Sequence, residues 1–180
     1  MAELVLISGG SRSGKSDFAR QLAESLAGPH IFLATCPDVD DEMAERIQRH
    51  REQRRNSGWQ TIEEPQDPAG ALARCPDGAT VLIDCLTLWV SNLMYKAGLQ
   101  ERHLDEDEVL EKTEQLADAA RRHRGAVIMV TGEVGQGVVP DNRQARLYRD
   151  LVGRCNQCMG SRADAVYLVS CGIPLQLKGK

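Results

Sequence analysis

Short apolar runs alternate with longer stretches of helical periodicity from one end of the chain to the other. Residues 4–7, 31–34, 81–83, 126–130 and 165–169 form compact apolar segments of strand length, the pattern of strands buried on both faces. Between them, residues 15–27, 40–55, 86–97, 104–123 and 142–162 carry the spacing of helices with one apolar face. Such a succession predicts a three-layer, doubly wound α/β fold around a mostly parallel sheet. Gly172-Ile173-Pro174 reads as a turn, and Leu175-Gln176-Leu177 after it reads as an antiparallel strand returning along the sheet edge. No linker, internal repeat or low-complexity tract divides the chain, so residues 1–180 are expected to form a single domain.

Composition narrows the class without naming the chemistry. With 42% hydrophobic and 27% charged residues, the chain has the make-up of a soluble globular protein, which excludes disorder and coiled coil. A net charge of −4 excludes any global attraction to nucleic acid. Aromatic residues are only 4%, so Leu, Val, Ile and Ala must build the core. The six cysteines are scattered, and no signal-peptide h-region precedes the first strand, so a cytoplasmic location is expected. The apolar runs fall far short of the ~20 residues needed to insert in a membrane. Cys155 and Cys158 form a lone C-x-x-C that extends an apolar stripe of Leu147, Leu151 and Met159, a core pattern and not a zinc site.

Chemistry enters directly after the first strand. Gly9-Gly10-Ser11-Arg12-Ser13-Gly14-Lys15-Ser16 satisfies G-x4-G-K-[ST] at every fixed position, in the required strand–loop–helix context. Such a loop curls backbone N–H groups around phosphate oxygens and aims a helix N-terminus at the same anion. Lys15 would reach the β- and γ-phosphates, and the Ser16 hydroxyl would bind Mg2+. A second metal-holding carboxylate is expected at the end of a neighbouring strand, and Asp84 occupies that place. Asp84 also suits the N-cap of the helix beginning near Leu86. Loop and pattern together place the chain among P-loop NTPases of RecA-like type, a fold that hosts kinases, motors and switches alike.

The helix predicted over 40–55 holds a second candidate. Met43, Ile47 and His50 fall on one face, which puts an imidazole among apolar anchors instead of among the arginines at 46, 49, 51, 54 and 55. A core histidine and a nucleophile both satisfy that placement. The acids at 40–42 and bases at 54–55 also follow the helix macrodipole. His30, His103 and His123 have plainer settings: a strand entry, an acidic stretch and a helix C-terminus.

Several segments jointly resemble one family, the bifunctional adenosylcobinamide kinase / adenosylcobinamide-phosphate guanylyltransferases of cobalamin synthesis. They are the loop from Ser8 to Ser16, Ala34-Thr35, the run Arg46-Ile47-Gln48-Arg49-His50-Arg51, Asp84-Cys85-Leu86-Thr87 with Asn92, and Glu133-Val134-Gly135-Gln136-Gly137-Val138-Val139-Pro140. Asn142-Arg143, Tyr148-Arg149-Asp150 and Asn156-Gln157 extend the likeness over nearly the whole chain. The resemblance implies two reactions: phosphate from ATP or GTP to the hydroxyl of the adenosylcobinamide side arm, then GMP from GTP onto that phosphate. It implies that His50 carries the GMP as a phosphoramidate. It places nucleotide at the P-loop and near Ala34, Thr35, Cys36, Arg51, Glu52, Gln53, Arg54, Glu63 and Asp84, with Glu63 suited to accept from the guanine N1–H and amino group. It also implies a homotrimer acting on small molecules. The 131–150 segment itself reads either as a loop and helix start shaping the cobinamide or nucleotide pocket, where Gly135 and Gly137 would permit close backbone approach, or as a flexible turn followed by a helix opened by Pro140 and Asp141. Rival readings are a P-loop kinase of another metabolite, in which His50 is dispensable, and a partner-dependent nucleotide switch.

Overall fold

The structure is a computed structural model that describes residues 3–36 and 58–179. Seven strands, β1 (Leu4–Gly9), β2 (His30–Ala34), β3 (Gln60–Glu63), β4 (Thr80–Asp84), β5 (Val127–Val130), β6 (Ala165–Ser170) and β7 (Ile173–Lys178), form one sheet ordered β3-β2-β4-β5-β1-β6-β7. Every neighbouring pair is parallel except β6 and β7, so the expected antiparallel edge strand is present. Among the described residues five helices accompany the sheet: α1 (Lys15–Glu24), α2 (Pro68–Ala73), α3 (Leu86–Leu99), α4 (Glu106–Arg122) and α5 (Arg143–Arg162). No helix among the described residues is long and apolar enough to cross a membrane. The helix expected over 40–55, with His50, lies outside the described residues.

Strand periodicity explains the three layers. Leu4 and Leu6, Val81 and Ile83, and Val127 and Met129 point to the face covered by α2–α5. Val5 and Ile7, Leu82, and Ile128 and Val130 point to the opposite face, where Ala19 and Ala23 of α1 pack with Trp59. Because successive side chains alternate between faces and both faces are covered, the central strands must be apolar at every position. That requirement is why they were conspicuous in the sequence.

Differences from the expected elements have local causes. β3 is an edge strand in which only Ile62 is partly buried, leaving no apolar run to detect. α2 is a six-residue helix started by Pro68 and capped by the Asp67 carboxylate, which accepts from the Gly70 N–H at 2.9 Å. α5 starts at Arg143, because Asn142 accepts from the N–H groups of Gln144 and Ala145. The last turn is Cys171-Gly172, and Pro174 lies inside β7 opposite Val169, tolerated because β7 is an edge strand. His123 caps the end of α4, its ring nitrogen donating to the Ala79 carbonyl at 2.8 Å.

Cys155 of the C-x-x-C is fully buried with Leu151 and Met159, in line with the expected apolar stripe. Burial pushes the Cys155 thiol up to about 12. Cys171 is exposed in the β6–β7 turn. A disulfide reagent at mildly alkaline pH should therefore modify Cys171 in the native protein and reach Cys155 only on unfolding, as peptide mapping of the labelled thiols would reveal. Labelling of both at equal rates would contradict this packing.

Candidate functional site

The carboxyl ends of the parallel strands share one edge of the sheet, and register fixes what stands side by side there. Glu63 ends β3 opposite Ala34 of β2, and Ala34 is in turn opposite Asp84 of β4. Asp84 pairs with Val130 of β5, which pairs with Ile7 of β1 just before the phosphate-binding loop. The row therefore runs Glu63, Ala34-Thr35, Asp84, then the segment after β5, then Gly9. This is the edge at which open α/β sheets bind ligands.

The loop itself is tightly fastened. Gly14 adopts φ 91, a left-handed conformation disfavoured for any side chain, and a Cβ there would lie 3.1 Å from the Gly172 Cα. A Cβ on Gly9 would lie 2.6 Å from both Ser13 Oγ and the Val169 carbonyl. The Gly172 N–H donates to the Ser13 carbonyl at 2.8 Å, so the β6–β7 turn buttresses the loop from behind. Unlike α2, α4 and α5, α1 has no side-chain cap. The Ser13 hydroxyl is buried without a hydrogen-bond partner, and the Lys15 ammonium donates to the Gly10 carbonyl at 3.0 Å. Backbone donors at an uncapped helix start, an unpartnered hydroxyl and an ammonium on one loop are what arriving phosphate oxygens satisfy.

Behind the edge lies a polar scaffold. The buried Thr35 hydroxyl donates to the Cys85 carbonyl at 2.7 Å and accepts from the Cys85 N–H at 2.8 Å, across a cis Asp84–Cys85 peptide. The Thr35 N–H donates to the Asp84 carbonyl, and its own carbonyl accepts from Asn92 at 2.7 Å. Thr35 thus has its polar groups engaged within the protein and holds β2 against the end of β4. The N-cap residue of α3 is Cys85, and Asp84 is the last residue of β4. Burial, with the neighbouring Asp84 charge second, pushes the Cys85 thiol up to about 11. It is therefore a neutral thiol at physiological pH and no nucleophile. Tyr148 donates to the Thr87 carbonyl at 3.1 Å, and burial raises its hydroxyl to about 12, which keeps that proton in place.

After β5 the buried Thr131 donates to the Asn156 Oδ1 at 2.7 Å, and the Thr87 hydroxyl accepts from the Gly132 N–H at 2.8 Å. Val138 and Val139 in the following loop are exposed. Neither Gly135 nor Gly137 is forced by close packing within the chain: Arg149 Cγ would lie 3.7 Å from a Cβ on the first, and nothing lies within 4 Å of one on the second.

Of the residues predicted for the site, the structure brings Gly9 to Ser16, Ala34, Thr35, Cys36, Glu63 and Asp84 to this one edge. His50, Arg51, Glu52, Gln53 and Arg54 lie outside the described residues. The scaffold of Thr87, Asn92, Thr131, Tyr148 and Asn156 had no assigned role in the sequence. For Thr87, Asn92, Tyr148 and Asn156 the signal is polar residues on α3 and α5; Thr131, directly after β5, carries none.

Comparison with known proteins gives the family. Residues 5–177 match the family model described as cobinamide kinase / cobinamide phosphate guanyltransferase. The chain is 38% identical to the bifunctional adenosylcobalamin biosynthesis protein CobU of Salmonella typhimurium, covering 97% of this chain and 99% of that one. It is 37% identical to the CobU of Escherichia coli, with the same coverage. It is also 37% identical to the CobP of Pseudomonas aeruginosa, over 97% of both chains. Among solved structures it is similar to a KaiC-like protein from Pyrococcus horikoshii, at 14% identity and a TM-score of 0.49, covering 92% of this chain and 70% of that one.

Proposed function

The chain belongs to the cobinamide kinase / cobinamide phosphate guanyltransferase family, and from that premise we propose that it performs both reactions on one corrinoid substrate. It first passes the terminal phosphate of ATP or GTP to the side-arm hydroxyl of adenosylcobinamide. It then joins GMP from GTP to that phosphate, giving adenosylcobinamide-GDP and pyrophosphate. The observation that carries this reading is the row of Glu63, Ala34, Asp84 and the phosphate loop along a single sheet edge.

In the first reaction the loop N–H groups and Lys15 take up charge on the transferring phosphate, an effect strongest where water is excluded. The Ser16 hydroxyl and Asp84 carboxylate are hard oxygen donors that would hold Mg2+, which would offset charge on the triphosphate. In the second reaction the neutral imidazole of His50 attacks the α-phosphorus of GTP and pyrophosphate leaves; the substrate phosphate then takes GMP from the histidine. Two steps replace one encounter between two polyanions. Arg46, Arg49, Arg51 and Arg54 on the same segment supply cations for the triphosphate. Glu63 accepts from the guanine N1–H and amino group, donors that adenine lacks. The exposed Val138 and Val139 offer apolar surface to the corrin beside the loop. The protein acts in the cytoplasm as a homotrimer.

Product analysis tests this reading. Incubating the protein with adenosylcobinamide, GTP and Mg2+ should yield adenosylcobinamide phosphate and then adenosylcobinamide-GDP, with GDP and pyrophosphate as co-products. An unmodified corrinoid alongside hydrolysed GTP would favour the switch reading.

A further inference from the structure

We propose that Glu133 is the general base of the phosphorylation step and that Asn156, oriented by Thr131, is its positioning residue. The inference rests on the reading of the chain as a kinase acting on a hydroxyl. An alcohol is a poor nucleophile until its proton has somewhere to go, and the acceptor must stand within hydrogen-bond reach of the attacking oxygen.

Glu133 stands three residues beyond Val130, which is the register partner of both Ile7 and Asp84. It is therefore placed between the phosphate loop and the strand-end carboxylate. Its backbone N–H donates to the Gly9 carbonyl at 3.1 Å, which ties it to the first residue of the loop. The side chain is steered as well. The Thr131 hydroxyl occupies the Asn156 Oδ1, so the amide turns its Nδ2 to the Gly132 carbonyl at 3.1 Å and toward Glu133 Oε1 at 3.5 Å. Fixing the oxygen of that amide decides which of its ends faces Glu133. No Lys or Arg pairs with Glu133 among the ion pairs of the described residues. Its carboxylate is reached by a neutral amide and keeps lone pairs open for a proton.

The other acids along the edge are less suited. Asp84 is the proposed metal holder. Glu63 ends β3, four strand positions from β1, roughly 19 Å at ~4.8 Å per strand. In the step, the hydroxyl proton passes to a Glu133 carboxylate oxygen as the hydroxyl oxygen bonds to the γ-phosphorus. The bond from that phosphorus to the β,γ-bridging oxygen breaks, and its electron pair leaves on the nucleoside diphosphate. The protonated Glu133 then releases its proton to solvent.

Separate assays of the two half-reactions test this. Glu133→Gln keeps the size of the side chain and should lower the kinase kcat by about 10²–10⁴-fold. Its affinity for Mg-ATP and its guanylyl transfer to supplied adenosylcobinamide phosphate should match wild type. A substrate analogue whose hydroxyl is acidified by fluorine should recover part of the lost rate, which a purely structural defect would not permit. Asn156→Ala should lower kinase kcat without raising the KM for nucleotide, and should add little on top of Glu133→Gln, because the two act as a unit. A kinase kcat in Glu133→Gln within about threefold of wild type would overturn the proposal, since a lost general base costs at least about 10²-fold. So would a loss explained by weaker Mg-ATP binding, which would make Glu133 a metal ligand. If wild type itself leaves adenosylcobinamide unphosphorylated, the kinase reading fails first and this assignment falls with it.

Discussion

Lys15→Ala is expected to abolish measurable phosphorylation of adenosylcobinamide, a loss of about 10³-fold or more, at the upper end of what removing one charge-stabilising donor costs. Without substrate, the ammonium makes a single exposed hydrogen bond, to the Gly10 carbonyl within its own loop. Its contribution to folding is therefore small, about 1 kcal/mol or less. Activity and stability should separate: steady-state kinetics collapse while thermal unfolding barely moves. Lys15→Arg should restore little, because a planar guanidinium cannot reproduce a compact point charge inside a curled loop. Full kinase activity in Lys15→Ala would contradict the assignment of the phosphate loop.

The largest effect on folding is expected far from the chemistry, at Gly125. A Cβ there would sit 1.9 Å from the Ala79 carbonyl oxygen and 2.7 Å from its carbon. Both atoms are backbone, and that oxygen already accepts from His123, while the Val81 N–H donates to the Ala126 carbonyl alongside. The clash cannot be relieved by turning a side chain. Gly125→Ala should cost about 3 kcal/mol, the upper end of overpacking penalties. For a chain of this size that lowers Tm by about 6–12 °C. Gly137→Ala is the control: its Cβ meets nothing within 4 Å, so its unfolding midpoint should stay within about 0.5 kcal/mol of wild type. Equal melting of the two variants would contradict the close approach of the segment before β5 to the start of β4.

Much of the fold was legible because its strongest constraints are local. Strands buried on both faces must be apolar at every position, so β1, β4 and β5 announced themselves, and the spacing of Gly9, Gly14, Lys15 and Ser16 placed the loop after β1. β3 escaped notice because three of its four residues are exposed and only pairing with β2 makes it a strand. At the site, Asp84 could be read two ways from sequence, since a strand-end acid and a helix cap look alike. The structure separates them by making Cys85 the N-cap residue of α3. The contact of Thr131 and Asn156 was illegible for a different reason: 25 residues separate them, and only the packing of α5 along the sheet brings them together. Thr35 shows the converse, a residue marked by the resemblance as nucleotide-binding whose hydroxyl is engaged with the Cys85 backbone.

In the proposed reaction sequence the chain carries GMP on its own histidine, His50, between the two transfers. GTP labelled at the α-phosphate tests it most directly. The wild-type protein, incubated with that GTP and Mg2+ and then denatured, should retain label in a bond that acid breaks and alkali spares, as a phosphoramidate does. Adding adenosylcobinamide phosphate before denaturation should discharge the label into adenosylcobinamide-GDP, and His50→Ala should acquire none. Equal labelling of wild type and His50→Ala would contradict the account, as would product formation by a variant that never carries the label.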